Sequence, residues 1–203
     1  MGIPAETLHR AMAALAAAEP RLADVLARLG PPAPRSHPRG HEALLRAITG
    51  QQVSVAAAAS IWARVEAVCG GSAAPERLLA LPEEALRGAG LSGAKVRYVR
   101  ALADALLSGA LDLDALPADD EAAVAVLTAL PGIGRWTAEI YLLFAEGRAD
   151  VFPAGDLAVQ VSIGALLGDG VRASEAATRR LALPFAPHRG ALAILAWHHY
   201  NQP

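Results

Sequence analysis

Cysteine and lysine are almost missing from this chain: Cys69 and Lys95 are the single examples of each among 203 residues. A lone cysteine cannot close an intrachain disulfide, nor can it supply the thiolates of an iron–sulfur cluster or a cysteine-rich zinc site. A reducing, cytoplasmic setting is therefore expected. Aromatic residues are scarce at 4%, while 54% of the chain is hydrophobic, so alanine and leucine carry the apolar content and favour helices over strands. No apolar run approaches the roughly 20 residues that span a bilayer. The stretch 11–18 reads as part of an amphipathic helix rather than as the core of a signal peptide. An excess of positive charge is also lacking: the net charge of −2 excludes a broadly basic nucleic-acid coat, so any such surface has to be local. Arg35, Arg39 and Arg46 with His37 and His41 form one cluster and Lys95, Arg97 and Arg100 another. Taken alone, both suit a solvated face.

What is present is a succession of helical segments. Period and punctuation predict helices near 5–18, 21–29, 41–49, 53–69, 75–80, 82–89, 93–108, 118–130, 135–146, 156–167, 173–182 and 187–200. Proline and glycine mark the breaks, as in GPPAP at 30–34, Pro131–Gly132 and the Pro153–Gly155 segment. The segment 119–130 shows the logic. Acidic residues open it, where they suit the positive helix end; Val124, Leu127 and Leu130 share a face, and Pro131 ends it. The expectation is an all-α chain of two helical lobes, about 40–130 and 1–39 plus 131–203, with the hairpin at 130–138 in the second.

Two motifs carry chemistry. Residues 130–138 read LPGIGRWTA between two amphipathic helices. Gly132 and Gly134 lack a Cβ, so backbone amides at the start of the second helix can approach another molecule, and the helix end favours a phosphate there. Arg135 would reinforce the charge. Twenty positions after Trp136, Asp156 follows Pro153 and Gly155 and precedes Leu157, Val159 and Val161, the pattern of a helix N-cap. A carboxylate in that place is also suited to stabilising a developing cation.

Together with LLRAITGQQVSVAAAASIWARV at 44–65 and FAPHRGALAILAW at 185–197, the hairpin and the aspartate segment DVFPAGDLAVQVSIG resemble the AlkA-like 3-methyladenine DNA glycosylase II family of the helix-hairpin-helix superfamily. The likeness runs over roughly residues 35–200. It implies a two-lobed helical glycosylase fold, here beginning directly with helices where the founding pattern has an additional N-terminal β-domain. It implies double-stranded DNA carrying alkylated bases as partner, a monomer, and excision of 3-methyladenine, 7-methylguanine and related bases. Asp156 stands at the catalytic position. Trp136, Trp197 and Gln51 stand at base-pocket positions; Gln52, Ser54, Gly132, Gly134, Arg135 and Thr137 stand on the DNA side, Gln52 as the residue filling the space of the extruded base. The carbonyls of Thr128, Leu130 and Ile133 would hold a structural Na+ or K+, with no cofactor needed for catalysis. Trp136 replaces the Schiff-base lysine of lyase-type relatives, which implies a monofunctional enzyme. Ile140, Leu157 and Gln52 differ from residues of other members, which leaves the lesion range open. A glycosylase for oxidised, deaminated or mispaired bases and a damage sensor without chemistry remain as alternatives.

Overall fold

The computed structural model describes residues 2–202, and no strand occurs among them. Twelve α-helices follow one another: α1 (Ala5–Ala18), α2 (Pro20–Leu29), α3 (His41–Gly50), α4 (Val55–Val68), α5 (Pro75–Ala80), α6 (Glu83–Gly88), α7 (Gly93–Leu107), α8 (Asp120–Thr128), α9 (Arg135–Tyr141), α10 (Leu157–Leu167), α11 (Glu175–Ala182) and α12 (Arg189–Tyr200). Their starts follow local chemistry. Ser54, Ser92, Asp119, Asp156 and Ser174 each accept a backbone N–H of the first turn, satisfying donors the helix leaves unpaired.

The chain forms two compact units. One takes the described residues up to His37 together with those from Glu139 onward; the other is Pro38–Ala138. In the first, α10 packs on α12, α11 and α2, and α1 on α2 and α12. Most of α10 is buried, from Val159 round to Leu167, and the stripe of Leu157, Val161 and Ala165 is more open, so its sequence is apolar nearly all round. Leu15, Leu22, Leu142, Leu143 and Ile163 fill this core. In the second, α7 packs on α5, α3 and α6, and α3 on α4. Its core holds Leu44, Leu45, Ile48, Leu78, Leu86, Leu102 and Leu127.

The structure differs from the sequence-based expectation in two places that matter for the site. The hairpin 130–138 belongs to the Pro38–Ala138 unit rather than to the lobe containing residues 139–203. The physical reason is that the hairpin is tied to α7 and to the α3–α4 turn, whereas Glu139, one step further along α9, receives Arg179 of α11 at 3.2 Å. The helix expected over 135–146 is α-helical only to Tyr141; Leu142–Glu146 form a π turn, closed by Gly147 in the left-handed region at φ 76°. Such a turn inserts an extra residue and re-aims the side chains that follow.

Candidate active site

Asp156 caps α10, its Oδ1 accepting the Val159 N–H at 3.1 Å. The same oxygen accepts the indole N–H of Trp197, from α12, at 3.0 Å. Capping and site geometry therefore coincide in one carboxylate. The turn before it is clamped from beneath: Gln160, 5% exposed, donates to the Ala154 carbonyl at 2.9 Å and accepts both Nε and an Nη of Arg172. A buried amide whose oxygen and nitrogen are both engaged fixes its neighbours in place. Beside Asp156, Leu157 is 53% exposed and supplies apolar surface at the helix start.

Trp197, expected as a pocket wall, is mostly buried and acts as the donor that orients Asp156. Its ring lies 5.5 Å from that of Phe144, and Phe144 lies 5.2 Å from His37, both pairs tilted. The π turn delivers Phe144 to this stack, and the His37 N–H donates to the Phe144 carbonyl at 2.9 Å. Burial holds the His37 imidazole below its usual pKa range, which favours the neutral ring. Sequence reasoning placed His37 only in a basic cluster and did not single out Phe144. No local signal identifies either, because the stack joins residues far apart in the chain.

In the other unit, the DNA-side candidates divide. Gly132 sits at φ 85°, and a Cβ there would fall 2.3 Å from Cγ of Tyr98 on α7. Gly134 is exposed, and a Cβ there would meet nothing within 4 Å. The hairpin glycines thus serve different ends: Gly132 seats the turn on the protein, and Gly134 leaves an open approach. Arg135 forms an ion pair with the exposed Glu121, an interaction weak enough for a phosphate to displace. Thr137 is 5% exposed, so its hydroxyl is not presented on the surface and only its backbone remains for a DNA contact. Trp136 is 45% exposed and Trp62 4%, so the first is not a core tryptophan and the second is. The Arg46 guanidinium lies 4.4 Å from the Trp62 ring centre.

The α3–α4 turn is exposed over Gln52–Ala56, with Val55 at 89%. Gln52 adopts φ 56°, the one non-glycine residue in the left-handed region among the described residues. Ser54 spends its hydroxyl on capping α4, accepting the Ala57 N–H at 3.2 Å. Gln51, expected in the base pocket, donates its amide to the Gly132 carbonyl at 2.8 Å and so bridges this turn to the hairpin.

The sequence profile described as HhH-GPD superfamily base excision DNA repair protein matches residues 45–187, spanning α3 through α11 with the hairpin and Asp156. The chain belongs to this family. Among HhH-GPD proteins, it is 34% identical to DNA-3-methyladenine glycosylase 1 of Schizosaccharomyces pombe over 59% of its own length and 54% of that protein. It is 36% identical to DNA-3-methyladenine glycosylase 2 of Escherichia coli, over 57% of its own length and 44% of that protein. The chain thus matches about half the length of these two relatives. Its fold is similar to the crystal structure of a Bacillus halodurans DNA-3-methyladenine glycosidase, with TM-score 0.83 and 32% identity over 92% of this chain and 87% of that one. It is also similar to S. pombe Mag1 in complex with abasic DNA, with TM-score 0.80 and 27% identity over 93% of this chain and 95% of that one.

Proposed function

We propose that this HhH-GPD protein is a monofunctional DNA glycosylase that extrudes alkylated bases from duplex DNA and hydrolyses the bond between C1′ and the base. The observation that carries the reading is the carboxylate of Asp156, held on one oxygen by the Val159 amide and the Trp197 indole. A base buried in a duplex must leave the stack before an enzyme can reach it, at a cost of a few kcal/mol that is least for weakened pairs. N-alkylation of a purine places positive charge on the base, which then departs as a neutral leaving group with the bonding electron pair. Positive charge develops on the sugar, and a fixed carboxylate stabilises it. Water adds to C1′ and releases a proton, leaving an abasic site.

Leu157, exposed beside Asp156, offers apolar surface to the base. Within the Pro38–Ala138 unit, Trp136 is exposed on α9, and an exposed indole attracts a cationic ring by about 0.5–2 kcal/mol. The hairpin grips the backbone and Gln52 fills the vacated stack. The carbonyls of Thr128, Leu130 and Ile133, at the end of α8 and in the hairpin, would hold the structural Na+ or K+. These are neutral backbone oxygens, a donor set whose chemistry suits a hard monovalent ion in a structural role. The protein acts as a monomer in a bacterial-type cytoplasm.

Lyase chemistry needs an amine within reach of C1′. Lys95 donates its Nζ to the carbonyls of Thr49 and Gln51 at 2.8 and 2.7 Å, so this amine is already engaged by the protein. Incubation with methylated duplex should therefore yield abasic sites in intact strands that break only on heating in alkali. Borohydride should trap no covalent adduct. A trapped adduct that disappears in Lys95→Ala would overturn the monofunctional reading.

A further inference from the structure

The only lysine of the chain does not lie on the surface as a solvated charge. Lys95 stands in the first turn of α7 and sends its ammonium under the end of α3, where the last carbonyls of a helix lack partners. Three residues further along α7, Tyr98 packs under Gly132 of the hairpin. Residues three apart share a helix face, so one face of α7 supports both exposed turns of this unit. Gln51 completes the arrangement: Lys95 holds its carbonyl, and its side-chain amide reaches the Gly132 carbonyl. Thr49, whose carbonyl takes the other ammonium bond, is 1% exposed.

Between these fixed points sits Gln52 at φ 56°, a conformation that non-glycine residues avoid and that persists only where the surroundings impose it. The residue before it is pinned at both its carbonyl and its amide, and two residues after it Ser54 starts α4 with a capping bond. Burial lowers the pKa of Lys95, consistent with an amine withdrawn from bulk water. We infer that Lys95 is a positioning residue for base extrusion: its two carbonyl bonds hold the Gly50–Ser54 turn in the setting that projects Gln52, and thereby pre-form the wedge that fills the vacated stack. This inference rests on the glycosylase reading. Its consequence is that losing Lys95 penalises extrusion, not glycosidic chemistry.

The test compares wild type, Lys95→Met and Lys95→Arg by single-turnover base release from two substrates. In one, the alkylated base is paired in a duplex; in the other, the same base lies in a single strand, where no stack has to be refilled. Lys95→Met should slow release from the duplex by about tenfold or more and from the single strand by less than about threefold. Lys95→Arg, which keeps a charged donor, should recover most of the duplex rate. A wild-type duplex rate in Lys95→Met, or equal losses on both substrates, would overturn the proposal, because a merely structural role lowers both alike. If Lys95→Met does not fold, reductive dimethylation of the folded wild type removes donors from the same amine, with Lys95→Arg controlling for the N-terminus. The same contrast between substrates is expected, and an unchanged duplex rate overturns the inference. No base release by wild type from either substrate would refute the glycosylase reading itself, and the inference with it.

Discussion

Asp156→Asn should lose at least a hundredfold in single-turnover base release while binding lesion DNA nearly as well as wild type. Asparagine keeps the side-chain oxygen that accepts the Val159 N–H and the Trp197 indole N–H, so the cap and the orientation survive. What disappears is the negative charge that the proposed mechanism sets against the sugar as it becomes cationic. A hundredfold loss corresponds to about 2.7 kcal/mol of transition-state stabilisation, the range in which removal of a pre-oriented electrostatic partner falls. Asp156→Ala is the poorer probe, since it also removes the cap, at a cost of about 0.5–2 kcal/mol in stability. Equal melting temperatures for wild type and the Asn variant, together with equal rates, would reduce Asp156 to a helix cap.

The second large effect separates the two hairpin glycines. Gly132→Ala should destabilise the protein by about 2–4 kcal/mol, because the new methyl group collides with the Tyr98 ring and the left-handed backbone adds about 1–2 kcal/mol. Its thermal midpoint should fall clearly. Gly134→Ala places the methyl group in open space, so folding should change by about 1 kcal/mol or less. In the proposed function, Gly134 is where the hairpin leaves its backbone open to a phosphate. Gly134→Ala and the bulkier Gly134→Gln should weaken binding to damaged and undamaged duplexes alike, by about tenfold, since phosphate contacts position the protein without reading sequence. Wild-type affinity in both Gly134 variants, measured by titration at fixed salt, would remove the hairpin from the DNA surface.

These contrasts show what was legible in the sequence. The start of α10 is written locally, since Pro153, Gly155 and Asp156 before Leu157 give both the turn and the cap. Composition and period likewise indicate the all-α fold and nearly every helix. The two glycines of LPGIGRWTA look equivalent in the sequence because their difference lies in Tyr98, which is more than 30 residues away. The π turn after Tyr141 escapes a reading based on a period of 3.6, since its residues Leu142–Ala145 are all buried and present no alternation to break. Lys95 reads as part of a basic surface cluster, and only the folded chain shows its ammonium under the end of α3, 46 positions away from Thr49. Gln51 is the complementary case. Its motif position suggests contact with the base, whereas its amide is engaged by the Gly132 carbonyl. Pairings of this kind depend on tertiary neighbours that propensity and capping rules do not contain.

The most direct test of the central claim is mass spectrometry of the small molecules released when the wild-type protein meets duplex DNA containing 3-methyladenine in the presence of a chelator. In the proposed mechanism Asp156 supplies the electrostatic stabilisation, and an alkylated purine is already a good leaving group. The account therefore predicts free 3-methyladenine in solution, one equivalent per abasic site formed, with strands intact and no dependence on divalent metal. Tight binding to the same duplex with no free base released would contradict it and leave a DNA-binding protein without chemistry.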